Sequence, residues 1–277
     1  MLEKLDFDAA VTKTEYRRRL PVLQRRLYDL EHALFQARIP VMVVIEGWAA
    51  SGKGSTISTL AERLDPRGFR VVPITPPRTA EQRFPWLHRF WLKLPSYGQM
   101  VVFDTSWYRR VLVERLDKTV RGRDIESAFH DIQSFEEQLA ADGTVIIKFW
   151  LHISRKEQSR RFKKLLKDKT ARWQICDEDA LQHKHYKRYH EYVEEALART
   201  DTPKAPWVIL AAGDKYHTRL ALLEALIRTL EAHLPKTAAK PERAPARAPQ
   251  PPTARRGSPA RAASTVRRTP KREVPHA

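Results

Sequence analysis

The chain has 277 residues, a single cysteine and a formal net charge of +18 at pH 7. That length is enough for one substantial core plus a tail, and a lone Cys176 excludes an internal disulfide framework and fits a reducing compartment. The charge points to an anionic partner: a nucleic acid, a membrane surface, a nucleotide or another polyanion.

The opening MLEKLDFDAA holds no apolar stretch suited to a signal peptide, and no later run reaches membrane-spanning length. A cytoplasmic protein with no membrane partner is therefore expected. Leu20, Leu23, Leu27, Leu30 and Leu34 recur at alternating three and four spacing, which predicts a helix over 13–37 whose apolar stripe packs on its own domain. Strands and helices then alternate. VMVVIE (41–46), RVVPIT (70–75), MVVFD (100–104), TVIIKFWLH (144–152) and PWVILA (206–211) are short, largely apolar runs of the kind buried on both faces of a parallel sheet. Amphipathic stretches near 53–65, 80–93, 107–117, 124–142, 154–169, 177–198 and 215–234 supply the helices. The pattern predicts an α/β domain with a parallel sheet of about five strands and helices on both faces.

Between the first strand and its helix lies EGWAASGKGSTI (46–57). Backbone N–H groups of such a loop and of the following helix N-terminus converge on an anion, and Lys53 adds a point charge. Gly47 and Gly52 permit the turn and a close approach; Gly54 and Ser55 complete the candidate phosphate contacts. The usual loop has a hydroxyl directly after its lysine to bind magnesium, and here that position is Gly54. MVVFD delivers Asp104 to the carboxyl edge of the sheet, where it can anchor Mg2+ directly or through water. The other reading of Asp104 is a helix cap ahead of TSWYRRVLVERL.

After the fourth strand, ISRKEQSRRFKKLLKDKTARW (153–173) is strongly basic. It reads as a phosphate-binding lid of about 153–178 that carries Arg160 and Arg161, or else as a solvated charged face. From Pro235 the composition changes to proline, alanine and arginine. The segment 235–277 carries +9 of the net charge, from eleven basic residues against Glu242 and Glu273. It is expected to be disordered and to bind polyanions nonspecifically.

EGWAASGKGSTI, LDPRGFRVVPITPPRTAEQRFPWLHRFWLKLP, FDTSWYRRVLVERL, HISRKEQSRRF, RW and TDTPKAPW, in that order, resemble the polyphosphate kinase 2 family over about residues 13–234. The resemblance implies a P-loop kinase-like fold with a helical lid. It also implies Mg2+-dependent phosphoryl transfer between inorganic polyphosphate and a nucleotide (ADP, GDP or AMP), and assembly into a homo-oligomer. Lys53, Asp104, Trp107, Tyr108, Arg110, Glu114, Arg115, Arg160, Arg161 and Trp173 match the family pattern. Lys53 and the loop amides are then expected to hold the transferred phosphates, and Asp104 to organise the metal. Arg110, Glu114 and Arg115 are expected to contact substrate, and Arg160 and Arg161 to close over the reacting phosphate. The resemblance also accounts for Gly54, because the family loop reads G-x-D-A-A-G-K-G. Its aspartate, however, is replaced by Ala49, and Thr105 stands where the family usually has arginine. These two departures leave a second reading open: a polyphosphate- or nucleotide-binding protein with little or no turnover.

Overall fold

A computed structural model of the chain describes residues 9–170 and 175–235, together with 2, 5–7 and 172. The expectations for Trp173 and for the tail beyond Pro235 lie outside the described residues. Contacts divide the chain into Met1–Lys240 and Pro241–Ala277, and the sheet and all the described helices belong to the first unit.

Helix α1 spans Lys13–Ala37; Thr12 caps its start by accepting from the Glu15 amide, and Arg38, in the left-handed region, ends it. Strand β1 (Val41–Gly47) leads into α2 (Lys53–Ala61), and β2 (Phe69–Pro73) follows. The one-turn α3 (His88–Trp91) precedes β3 (Met100–Asp104), which is followed by a 3-10 turn at Trp107–Arg110 and the short α4 (Val113–Leu116). Then come α5 (Arg123–Ala141), β4 (Val145–His152), α6 (Arg155–Lys167), α7 (Asp177–Lys184), α8 (Tyr186–Thr200), β5 (Trp207–Ala211) and α9 (Lys215–His233).

The strands form one parallel sheet in the order β2-β3-β1-β4-β5. Every residue of β1 and β4 is buried, as their largely apolar runs predict, and this includes the polar Glu46, Lys148 and His152; β2 at the edge is partly exposed. Helices α1, α2 and α9 pack together as one layer, and α5 and α8 form the other. Leu27, Leu30 and Leu34 of α1 join the main core. Ion pairs Arg19–Glu224 and Arg26–Glu231 fasten α1 along α9.

Three of the expected helices are broken differently. The stretch 80–93 becomes a 3-10 turn and α3, because Pro85 lies between them and a proline has no N–H to continue the ladder. The stretch 107–117 becomes the Trp107–Arg110 turn and α4, with Trp107 and Tyr108 drawn wholly into the core. The stretch 177–198 is split at His185, which has φ −106° and ψ 33°.

Candidate active site

Sheet order decides where the site lies. Strand β1 is central, so its carboxyl end meets those of β3 and β4, and Asp104 is in register with Ile45. Loop 47–53 leaves that edge under tight steric control. A side chain at Gly47 would come within 2.6 Å of the Leu151 carbonyl oxygen on β4. Gly52, the N-cap of α2, has φ +97°, and Ala50 takes the left-handed region at φ 61° without being glycine.

Lys53 curls back over this loop, with Nζ 3.1 Å from the Gly47 oxygen and 3.4 Å from the Trp48 oxygen. Ser55 is exposed, with its hydroxyl on the Gly52 carbonyl, and the space beside Gly54 is open. The Trp48, Ala49 and Ser51 amides are taken by Leu151, Gln182 and Trp48, so the cationic cradle at the sheet edge consists of Lys53, the first turn of α2 and the remaining loop amides.

Asp104 ends β3 beside it, partly exposed. The next residue, Thr105, has φ 63°, which a β-branched side chain rarely adopts. The turn after it is fixed by Glu46, an acid at the end of β1 whose role the sequence did not reveal. Glu46 is 4% exposed, and one of its oxygens accepts from the Ser106 amide at 2.8 Å and the Ser106 hydroxyl at 2.7 Å. Burial pushes its carboxyl up to about 7; Lys53 and Ser106 pull it down and Asp104 pushes it further up. Glu46, Lys53 and Asp104 thus share one electrostatic environment.

No cage of three or more His, Cys, Asp or Glu side chains occurs among the described residues. A single accessible carboxylate at the end of β3 nevertheless fits Mg2+, which keeps several waters and takes phosphate oxygens from its substrate.

The remaining predicted residues fall into four places. Arg161 is built into the base of the loop: Nη1 donates to the carbonyls of Ala50 and Ser51 at 3.1 Å each, and Nη2 to those of Ala212 and Gly213 at 2.6 and 2.8 Å. Arg160 lies on the open side of α6, 69% exposed at its side chain and paired with Glu157. Arg110 and Glu114, 3.1 Å apart, line a cavity of about 300 Å³. Arg115 is not among its lining residues; it pairs with Glu195 at 2.6 Å and stacks on Tyr192, tying α4 to α8.

The cavity was not legible in the sequence, because its walls come from two separate segments. Phe84, Trp86, Arg89 and Phe90 lie on one side, and Trp107, Arg109 and Arg110 on the other. The Arg110 guanidinium stands 5.5 Å from the centroid of Trp86, whose indole N–H is held by Asp131. The Nε atoms of Arg89 and Arg110 are buried without a hydrogen-bond partner. Aromatic faces beside arginines suit a nucleobase and its phosphates. Arg109, 6% exposed, runs from this wall to α7 as a two-pronged pair with Glu178.

Comparison with known proteins agrees with this geometry. The polyphosphate kinase 2 family profile matches residues 10–238. The polyphosphate:AMP phosphotransferase of Pseudomonas aeruginosa is 36% identical over 232 residues, covering 84% of this chain and 47% of that protein. NDP-polyphosphate phosphotransferase 3 of Ruegeria pomeroyi is 33% identical over 225 residues, covering 81% and 75%. The chain thus spans about half the length of the AMP phosphotransferase and three quarters of the Ruegeria protein. Among solved structures, a putative polyphosphate kinase 2 from P. aeruginosa superposes with a TM-score of 0.80 at 36% identity, covering 84% of this chain and 50% of that one. Polyphosphate kinase 2 from Arthrobacter aurescens gives 0.79 at 26% identity, with 85% and 88% covered. With the loop, the β3 acid and the sheet order all in place over the matched residues, the chain belongs to the polyphosphate kinase 2 family.

Proposed function

We propose that this protein transfers a phosphoryl group between inorganic polyphosphate and a nucleoside mono- or diphosphate, with Mg2+ at Asp104. The observation that carries the reading is one sheet edge with two compartments. A cationic phosphate cradle lies at β1, and an aromatic and arginine-lined cavity starts three residues beyond the β3 acid. Relatives named for AMP, ADP and NDP substrates support a nucleotide as the partner of polyphosphate.

In this reading the loop amides and Lys53 hold the phosphoryl group in flight, and the cavity holds the nucleoside. Arg110 orients the acceptor phosphate, with Glu114 setting the rotamer of its guanidinium. Arg161 holds the loop in shape, while Arg160 and the exposed basic side of α6 meet the polyphosphate chain. Asp104 would anchor the Mg2+ ion, which when bound would supply charge neutralisation at the phosphate oxygens. Direct in-line transfer needs no covalent intermediate on the protein. Glu46 acts through the Ser106 turn, which sets Asp104 beside the cradle and Arg110 in the cavity. A cytoplasmic location and assembly into a homo-oligomer belong to the same proposal; no described helix is long and apolar enough to cross a membrane.

The test is phosphoryl transfer with Mg2+, polyphosphate and a panel of nucleoside mono- and diphosphates, in wild type and Lys53→Ala. Turnover that disappears in Lys53→Ala supports the reading. Tight binding of both substrates without turnover would instead establish a binding protein, and unchanged turnover in Lys53→Ala would remove this loop from the active site.

A further inference from the structure

Lys148 lies in the middle of β4 with 0% exposure, and Glu136 on α5 with 3%. Among the described residues Lys148 is the only buried lysine. An isolated buried charge costs several kcal/mol, so the satisfaction of these two groups is the first thing to account for. Each N–H of the ammonium has an acceptor: Glu136 Oε2 at 2.7 Å, the Tyr108 hydroxyl at 2.9 Å and the Thr200 carbonyl at 2.7 Å. The other carboxylate oxygen accepts from the Trp107 indole at 2.9 Å and the Tyr108 hydroxyl at 2.8 Å. The network is closed.

Stability alone is a weak reason for such a pair, because apolar residues of similar volume usually serve the fold as well or better. What the pair adds is direction. Trp107 and Tyr108 pack against Phe103, Phe90, Phe135 and Trp207, contacts that hold the rings in the core. Aiming an indole N–H and a phenol O–H at one carboxylate oxygen also fixes the rotation of both rings. These two residues begin the turn that ends in Arg109 and Arg110, and the turn follows the left-handed Thr105.

We propose that the buried Lys148–Glu136 pair is a positioning device for the acceptor: it fixes the Trp107–Arg110 turn so that Arg109 and Arg110 line the nucleotide cavity. The role rests on the reading of that cavity as the acceptor site. Neither residue touches the phosphate cradle through any of these contacts, so polyphosphate binding is independent of the pair.

The experiment compares ADP and polyphosphate affinities by titration calorimetry of the full chain. Lys148→Met/Glu136→Leu replaces the pair with apolar side chains of similar size and keeps the core filled. Tyr108→Phe removes only the bridging hydroxyl and serves if the double variant does not fold. ADP affinity is expected to fall about tenfold in either variant, the equivalent of one charge-assisted hydrogen bond. Polyphosphate affinity stays at the wild-type value. A merely structural role predicts a lower melting temperature with both affinities intact, and that result overturns the proposal. Equal loss of both affinities overturns it as well. AMP replaces ADP if wild type binds only the monophosphate; if wild type binds neither, the acceptor reading fails and this role fails with it, and if wild type binds the nucleotide and the variants bind it equally well, only the role fails.

Discussion

Gln182 Oε1 accepts a hydrogen bond from the Ala49 amide at 2.6 Å, fastening α7 to the phosphate loop at the position where the family loop carries an acid. Gln158 of α6 completes the grip through the Ala49 carbonyl at 3.3 Å and is itself held by His183 at 2.8 Å. Ala49 is 2% exposed, so this loop position is packed rather than solvated.

Ala49→Asp places a carboxylate in that packed position. Without divalent ions the variant is expected to lose about 1–3 kcal/mol of stability, because the new charge has no partner. With Mg2+ and polyphosphate its turnover should rise by roughly 30- to 1000-fold over wild type, in line with other stabilisers of transition-state charge. The gain should vanish in the Asp104→Asn background if the two acids act as a unit. Turnover against Mg2+ concentration for wild type, both single variants and the double measures this. Loss of activity at every Mg2+ concentration would show that the loop is tuned for its alanine.

The neighbouring arginines of α6 should separate cleanly. Arg161→Lys cannot reproduce four carbonyl contacts in two directions, so melting temperature and turnover both fall, the latter by about 10- to 100-fold as the loop loses its geometry. Arg160→Ala should leave the melting temperature unchanged and raise the KM for polyphosphate. Matching effects of the two substitutions would contradict the division.

Asp104→Asn keeps the shape of the β3 terminus and removes its charge. Turnover is expected to drop about 100-fold or more, and the Mg2+ concentration for half-maximal rate to rise. A rate with unaltered Mg2+ dependence would make Asp104 a structural cap.

Trp86→Ala removes one aromatic wall of the cavity and the platform under Arg110. The KM for the nucleotide should increase by about 5- to 100-fold, the effect of losing one base-stacking surface, while the KM for polyphosphate stays constant. An increase in the polyphosphate KM alone would assign the cavity to the other substrate.

Two buried groups set opposite limits on stability against pH. Burial raises Glu46 from 4.5 to about 7, so its favourable contribution is complete below pH 4.5 and is lost as pH rises through 7. Burial, together with nearby His190, lowers His152 from 6.5 to about 4, so its contribution is complete above pH 6.5 and is lost as pH falls through 4. The two windows, pH 4.5–7 and pH 4–6.5, overlap almost fully with opposite slopes, so the roughly 3 kcal/mol that each group would contribute alone nearly cancels. Urea denaturation from pH 4 to 8 without divalent ions should give a nearly flat profile in wild type, whereas Glu46→Gln, which leaves only the His152 effect, should gain up to roughly 3 kcal/mol between pH 4 and 6.5. A profile that Glu46→Gln leaves unchanged would show that other groups dominate.

Much of this architecture was legible because its signals are local. VMVVIE and MVVFD are apolar runs that only burial on both faces explains, and α1 has the predicted bounds of its leucine stripe. The places of Lys53 at the start of α2 and of Asp104 at the end of β3 were legible for the same reason, since a loop after a strand and an acid at a strand end are readable within a few residues. The contacts that hold the loop are not local. Gln182 meets Ala49 across 133 positions, and Arg161 reaches Ala50 across 111. Glu46 stood in plain view in the sequence, but its burial and its bonds to Ser106 arise only when β1 and β3 pair.

The packing of α1 against α9 also bears on how the protein is made. Arg19 and its partner Glu224 are 205 positions apart. At a synthesis rate of about 5–20 residues per second, the face of α1 destined for α9 waits roughly 10–40 s after leaving the ribosome before its cover exists. Leu27, Leu30 and Leu34, which join the core, are therefore a stretch of nascent chain for chaperones to shield until the synthesis of α9.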